Sequence, residues 1–366
     1  MKNICFFGGD FRIGGANVVA VNLANELSKR YNVFLLATHD TDETAYGKDS
    51  IADNVTYHNF ALKKERIVKM RQKTLPLMKR FIKENDIDVV FAVGYYPGFY
   101  IAPIIRYGGK CKFVYCEHES PSSMLADKKA TLMRKINAKT FDVTVALTKR
   151  TEDAFVKIFK AKPKKVTTIY NWIDESMIDT ESRYDPDIKK ILTVGRISEE
   201  KGFDMLADIA RDVFSECPDW QWHIIGDGPD REKFEANIKE YGVDKNIVMH
   251  GSVAEASKYY TEYSIIALTS YREGLPLVLL EAKAKNIPCI SFDVITGPSE
   301  IIRDGVNGYL IPMYDKKMFA DKLVAMMKDN SIRDSFSRNA QLDIEKFKKH
   351  NILCRWIELT EKLLEK

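Results

Sequence analysis

Apolar residues along this chain fall into short, nearly continuous runs, and between the runs the spacing changes to that of helices with one buried face. Runs near 3–7, 32–37, 88–93, 111–116 and 142–147 predict buried strands, and the stretches 15–30, 65–84 and 127–139 predict helices between them. Strand, helix and strand in alternation build a parallel sheet. After Ile169-Tyr-Asn-Trp-Ile173 the chain turns polar as far as Tyr184-Asp-Pro-Asp187, with few apolar residues and a proline, as a linker would. The alternation then restarts, with strands near 190–195, 221–226, 246–250, 264–269, 287–292 and 309–311. The expectation is an α/β protein of two Rossmann-like domains, over residues 1–175 and 189–349, joined by a linker at 176–188. A terminal helix over 350–366 is expected to pack back on the first domain.

Composition agrees with this division. At 366 residues, with 45% apolar and 30% charged side chains, the chain is ordinary for a globular protein and too long for one compact core. It has no repeat of solenoid length and no low-complexity segment. The net charge of +4 hides an asymmetry: residues 1–184 carry 30 Lys and Arg against 21 Asp and Glu, and the remainder 26 against 31. A basic half beside an acidic one suggests a face that meets a membrane surface, phosphates or nucleic acid, and the charge alone does not choose. The six cysteines are scattered without a CxxC pair and mostly sit in apolar runs, which reads as reduced core residues of a cytosolic protein. No apolar stretch approaches the roughly 18 residues of a membrane span, and the chain opens directly on a strand-like run, so neither secretion nor a membrane span is expected.

In parallel sheets ligands bind beyond the C-terminal ends of strands, which directs attention to three loops. Phe7-Gly-Gly-Asp-Phe-Arg-Ile-Gly-Gly-Ala16 follows the first strand, and Gly14 and Gly15 would let backbone N–H groups approach a phosphate at the start of the next helix. The loop lacks both the GxGxxG spacing and the GxxxxGK[ST] lysine, and a tight βα turn explains it equally well. Gly195-Arg-Ile-Ser-Glu-Glu-Lys-Gly202 follows the first strand of the second domain and places Arg196 and Lys201 where they could neutralise a diphosphate leaving group, although solvated surface charge is the common reading of such residues. In Glu273-Gly-Leu-Pro-Leu-Val-Leu-Leu-Glu281, Pro276 suits a first helical turn, which leaves Glu273 on the loop, puts Glu281 inside the helix and turns the N–H groups of Leu277 and Val278 toward an anion. An acidic side chain among Leu279, Leu280, Ala282 and Ala284 would be costly without a partner.

The spacing of Glu273 and Glu281 resembles the E-x7-E signature of retaining glycosyltransferases with the GT-B fold, two Rossmann-like domains with a catalytic cleft between them, and the chain resembles glycosyltransferase family 4. The similarity covers nearly the whole length, because Gly14 to Leu27, Gly195 to Gly202, Gly226-Asp-Gly-Pro229 and Gly297 to Leu310 resemble further family blocks in order. Asn17 stands where the family commonly has Glu. The resemblance implies that Gly15, Arg196, Lys201, Leu277 and Val278 hold the donor diphosphate, Glu281 the ribose and Val253 the base, with Gly274 and Leu275 also at the donor. Glu273 would contact donor-sugar hydroxyls near the reacting carbon. His118, in Tyr115-Cys-Glu-His-Glu119, aligns with a histidine that family members set against the donor sugar, while Glu117 and Glu119 remain inseparable by role.

The resemblance further implies a hexosyl transfer from a nucleotide-diphosphate sugar, with UDP preferred to GDP, onto a saccharide or lipid-linked saccharide in surface polysaccharide or glycolipid synthesis. An epimerase and a non-catalytic nucleotide-sugar-binding subunit are the competing readings. No metal or other cofactor is expected: Asp40-Thr-Asp42, Asp86-Ile-Asp88 and Asp185-Pro-Asp187 read as solvated turn residues, and two cations with a helix N-terminus can meet the departing diphosphate. Residues 62–83 carry nine Lys or Arg and one Glu, interleaved with Ile67, Met70, Leu77, Met78 and Phe81. That pattern is either a solvated helix face or a surface resting on anionic lipid at the inner face of the cell membrane, with Lys128, Lys129, Arg134, Lys135, Lys157, Lys164 and Lys165 adding to the charge. Nucleic acid is not an expected partner, since it would leave Arg196, Lys201, Glu273 and Glu281 without a role.

Overall fold

A computed structural model describes residues 1–11, 15–39, 50–105, 109–173, 175–178, 184–253 and 256–365, so Gly14 and Asp40-Thr-Asp42 lie outside the described residues. The chain forms two compact units, Met1–Asn171 with His350–Lys366, and Trp172–Lys349.

The first unit runs β1 (Asn3–Gly8), α1 (Gly15–Leu27), β2 (Asn32–His39), β3 (Val55–Leu62), α2 (Ile67–Glu84), β4 (Val89–Val93), α3 (Tyr95–Ile105), β5 (Lys112–Glu117), α4 (Lys128–Thr140), β6 (Val143–Ala146), α5 (Lys149–Lys157) and β7 (Val166–Thr168). Its strands are all parallel, in the order β3-β2-β1-β4-β5-β6-β7. Burial of all five β4 residues follows from helices covering both faces. Four of these elements are absent from the sequence reading. β3 is an edge strand with Thr56, Tyr57 and His58 exposed, and β7 has three residues. α3 contains Pro97, Gly98 and Pro103, which read as breakers, and α5 is short and starts on a Thr148 cap that accepts from the Thr151 N–H at 3.0 Å.

The second unit runs β8 (Lys190–Val194), α6 (Phe203–Glu216), β9 (Gln221–Ile225), α7 (Arg231–Glu240), β10 (Ile247–Gly251), β11 (Ile265–Leu268), α8 (Leu277–Ala284), β12 (Cys289–Phe292), α9 (Pro298–Ile301), β13 (Gly308–Ile311), α10 (Lys316–Lys328) and α11 (Asn330–Arg338). Its sheet is again parallel, in the order β10-β9-β8-β11-β12-β13. In both sheets the strand order reverses once, between β1 and β4 and between β8 and β11. Connections there leave to opposite faces, and the loops at the C-terminal strand ends open a crevice.

Several expectations are corrected by these contacts. Where it is described, the polar segment expected as a linker over 176–188 falls within the second unit, whose boundary lies at Trp172, and residues 179–183 lie outside the described residues. It is pinned there because Ile173 bridges Lys348, the Tyr184 hydroxyl donates to the Ser264 carbonyl at 2.8 Å, and the buried Arg333 donates to the Pro186 carbonyl at 2.5 Å. Asp88 is half-buried and accepts the Asn3 N–H at 2.9 Å and the Lys2 ammonium at 3.1 Å, so it ties β1 to β4. Asp86 is exposed, and Asp185 accepts the Asp187 N–H within its turn. Among the described residues no helix is long and apolar enough to cross a membrane. Finally, α2 turns Met70, Met78 and Phe81 into the first core, so the helix presents its cations outward and not its apolar face.

The closing helix α12 (Lys349–Leu364) lies on the first unit. Trp356 is buried edge-on against Phe91 at a centroid distance of 5.8 Å, and Glu361 accepts from Tyr31 at 2.9 Å and pairs with Arg30 at 3.0 Å. A truncated aromatic leaves a cavity that a sheet cannot close, whereas an exposed ion pair contributes little. Trp356→Ala should therefore cost about 3–5 kcal/mol in urea unfolding, and Arg30→Ala less than about 1 kcal/mol.

Candidate active site

Three loops of the second unit meet at the C-terminal edge of its sheet. The loop after β8 bonds to the loop after β9 through the Ile197 N–H and the Asp227 carbonyl (3.0 Å), and to the loop after β11 through the Tyr271 N–H and the Glu200 carbonyl (2.9 Å). Such close backbone packing demands glycine, as two of the positions show. Gly202 has φ +65° and a Cβ there would stand 2.1 Å from the Thr269 carbonyl oxygen; Gly226 has φ +149° and its Cβ would stand 1.9 Å from the Gly195 oxygen.

Within this frame Lys201 and Glu273 come together. The Lys201 ammonium donates to Glu273 Oε1 at 2.8 Å, and the Ser270 hydroxyl donates to the same oxygen at 2.6 Å. Thr296 donates to the Glu273 carbonyl, which fixes the backbone that carries the carboxylate. Glu273 is 8% exposed. Burial pulls the Lys201 pKa down, but the Glu273 carboxylate overrides it and holds the ammonium above its ordinary value. Arg196 is exposed and has no side-chain partner among the described residues.

The helix after this loop begins at Leu277, with Pro276 as its N-cap and not its first turn, since Pro276 has ψ 111°. Leu277 and Val278 are half-buried in the first turn, where N–H groups have no acceptor within the helix. Glu281 lies one turn further on, and its Oε2 accepts from the buried Tyr260 hydroxyl at 2.7 Å. Burial raises the Glu281 pKa, and the Tyr260 hydroxyl opposes the rise. Gly274 is half-buried beside the buried Leu275, and Val253 is half-buried just past β10.

In the first unit Gly15 opens α1, exposed, and a Cβ there would meet nothing within 4 Å among the described residues. His118 follows β5 directly and is half-buried; burial depresses its pKa to about 4 against the pull of Glu117, so the imidazole is neutral near pH 7. Its Nδ1 has no partner among the described residues. The two glutamates that flank it are now distinct. Glu117 is buried and accepts from the Tyr115 hydroxyl at 2.5 Å and from Arg134 Nε at 2.7 Å, while Glu119 is exposed and accepts from Arg134 Nη2 at 2.6 Å. Arg134, expected among the surface cations, is fully buried and stacks over Tyr95 at 4.1 Å.

Tyr260, Ser270 and Thr296 shape the site without being singled out in the sequence, and Arg134 counts there only as a surface cation. Arg134 could have been found: it shares the buried face of α4 with Ala130 and Ala138, four residues to either side, where two small residues leave room for a guanidinium. Tyr260 sits in the short 3-10 helix Ala256–Glu262 and Ser270 and Thr296 at loop positions, none of which carries a periodic signal. No trio of His, Cys, Asp or Glu among the described residues is gathered as metal ligands.

Comparison with known proteins agrees with this geometry. The model of "Glycosyl transferases group 1" matches residues 176–343, and that of "Glycosyltransferase Family 4" matches residues 13–176. The chain is a group 1 glycosyltransferase. This glycosyltransferase is 26% identical to the amylovoran biosynthesis glycosyltransferase AmsD of Erwinia amylovora, over 98% of its own length and 99% of that protein. It is 25% identical, over 98% of each chain, to the Campylobacter jejuni N-acetylgalactosaminyltransferase named for a diphosphate-undecaprenol-linked acceptor. Solved structures share the fold at lower identity: TarM of S. aureus in complex with UDP (TM-score 0.83, 15% identity, 98% and 100% covered) and Anabaena Alr3699/HepE in complex with UDP (0.83, 17%, 99% and 100%). Both sheets therefore belong to a GT-B fold.

Removing Arg134 would leave Glu117 charged, buried and short of its main donor. Arg134→Met should destabilise the first unit by about 3–5 kcal/mol. Arg134→Lys should recover only part of that loss, because an ammonium cannot serve both carboxylates through a planar fork. Urea unfolding of both variants checks the order.

Proposed function

We propose that this glycosyltransferase moves a hexosyl group from a UDP-sugar to a hydroxyl of a saccharide or lipid-linked saccharide, with retention of configuration and without a metal ion. The observation that carries the reading is the buried Glu273 carboxylate, held by Lys201 and Ser270 where the strand order reverses. Similar proteins whose structures contain UDP, and a relative named for a diphosphate-undecaprenol acceptor, support the donor and acceptor classes.

In this reading Arg196, Lys201, Gly15 and the first N–H groups of α8, at Leu277 and Val278, receive the diphosphate. Glu281 takes the ribose with the oxygen that Tyr260 leaves free, and Val253 lines the base pocket. Glu273, with Gly274 and Leu275, addresses the sugar, and Lys201 is shared between Glu273 and phosphate. The bond from the sugar's anomeric carbon to the β-phosphate oxygen breaks as the acceptor oxygen bonds to that carbon on the same face. The acceptor proton passes to the departing phosphate, which leaves as UDP. A neutral His118 serves as a hydrogen-bonding partner of the sugar. We also assign to the outward cations of α2, among them Lys69, Lys73, Lys79 and Arg80, a peripheral contact with anionic lipid that is electrostatic and not insertional.

Glu273→Gln and Lys201→Ala should each lower transfer by about 100- to 1,000-fold, with thermal unfolding confirming a folded protein. Unchanged turnover in either variant overturns the assignment. The ratio of wild-type to His118→Ala rates should stay constant between pH 8 and pH 6, because a group depressed to about 4 is neutral throughout that window. A ratio that bends near pH 6.5 would show an imidazole that titrates, against this role.

A further inference from the structure

The first sheet has a second concave feature at the end opposite the candidate active site. Lys112 at the start of β5, Val143 at the start of β6 and Lys164 and Lys165 just before β7 line a pocket of about 450 Å³, closed on one side by α12. Six residue steps separate Lys112 from His118, so the lysine end of the pocket lies roughly 20 Å from His118 at about 3.3 Å per step, while the lining runs along β7 as far as Ile169. None of the residues that line it belongs to the site described above. Its size falls in the range of small-ligand pockets, about 300–1,000 Å³.

The charge lining it is unbalanced. Lys112, Lys164, Lys165, Arg355 and Lys362 face Asp142 and Glu358. Asp142 is already engaged, accepting the Phe113 N–H at 2.9 Å, and Lys165 donates to the Phe141 carbonyl at 2.8 Å. None of Lys112, Lys164, Arg355 and Lys362 has a carboxylate at ion-pair distance among the described residues, although Glu358 stands between the last two on α12.

Four cations without carboxylate partners, gathered in one concavity, are the complement of a multiply charged anion. No aromatic ring lines the pocket, so nothing is offered for a base to stack on. The floor is aliphatic, from Val143, Leu359 and Leu363, which suits the carbon part of an ester. We infer that this pocket binds a phosphate or diphosphate ester, apart from the donor site, with Lys112, Lys164, Arg355 and Lys362 as its anion-binding groups. Two sources share that chemistry, a soluble phosphorylated metabolite and the headgroup of a membrane lipid.

The test begins with inorganic pyrophosphate titrated calorimetrically into an Arg196→Ala/Lys201→Ala variant, in which the donor-site cations are gone. A binding site should persist there and weaken at least tenfold when Arg355→Glu/Lys362→Glu is added; both residues are exposed, and an unchanged thermal midpoint confirms the fold. In parallel, wild type and Arg355→Glu/Lys362→Glu are sedimented with vesicles of phosphatidylglycerol and phosphatidylcholine, against a charge-matched Lys128→Glu/Lys129→Glu control. Tenfold weaker pyrophosphate binding with unaltered sedimentation assigns a soluble ester. Sedimentation lost in the pocket variant and kept in the control assigns a lipid headgroup, whatever the pyrophosphate result. Equal loss in both vesicle variants without a pyrophosphate effect, or no change in either arm, overturns the proposal.

Discussion

The ion pair between Lys201 and Glu273 joins the loop after β8 to the loop after β11 at the place in the second sheet where neighbouring strands send their connections to opposite faces. A pair this deeply set gains little net stability, because withdrawing two charges from water costs about as much as their attraction returns. What it does supply is position. With Ser270 on the same oxygen and Thr296 on the Glu273 carbonyl, the carboxylate has one orientation, and the glycines at 202 and 226 exist so that the surrounding loops can close around it. Substituting either glycine would push two loops apart and displace the pair without touching it.

The first unit solves a similar problem with a different cation. Behind the loop that carries His118, the Arg134 guanidinium spans Glu117 and Glu119, which a lysine could not do with a single point charge. Two carboxylates against one guanidinium leave a formal negative charge, which the Tyr115 hydroxyl and the water around Glu119 moderate. Burial of His118 outweighs that charge and keeps the ring neutral, so the electrostatic character of this loop comes from its clamped neighbours and not from the histidine.

Legibility in the sequence followed the physics of each signal. Two parallel sheets could be read because buried strands leave unbroken apolar runs; β3 escaped because this edge strand buries only Val55 and carries polar residues along its length, and α3 because Pro97 and Pro103 mask a helix that packing supplies. Glu273, Lys201 and Glu281 could be read from spacing, and the structure sets all three on one sheet edge, but their supports could not. Tyr260 reaches Glu281 from 21 residues away and Thr296 reaches Glu273 from 23, contacts that depend on the fold and not on local pattern. Arg134 shows the opposite failure, a charge counted as surface because composition does not distinguish a buried cation from an exposed one.

The basic excess of the first half therefore divides into groups with different causes. Arg134 neutralises buried carboxylates. Lys83, Lys139 and Lys157 end α2, α4 and α5, where a cation complements the helix dipole, and in a parallel sheet those helix ends gather at the N-terminal strand edge. Lys112 and Lys164 share that edge yet lie on a strand and in a turn, so the dipole of a long helix does not account for them, and no carboxylate does. Proximity of like charges is unfavourable, and a fold that keeps them together in one concavity has left a repulsion that an anion would relieve. A parallel α/β unit thus has two chemically distinct ends: at one, a neutral histidine stands between two carboxylates that Arg134 clamps, and at the other, lysines exceed what the helices require.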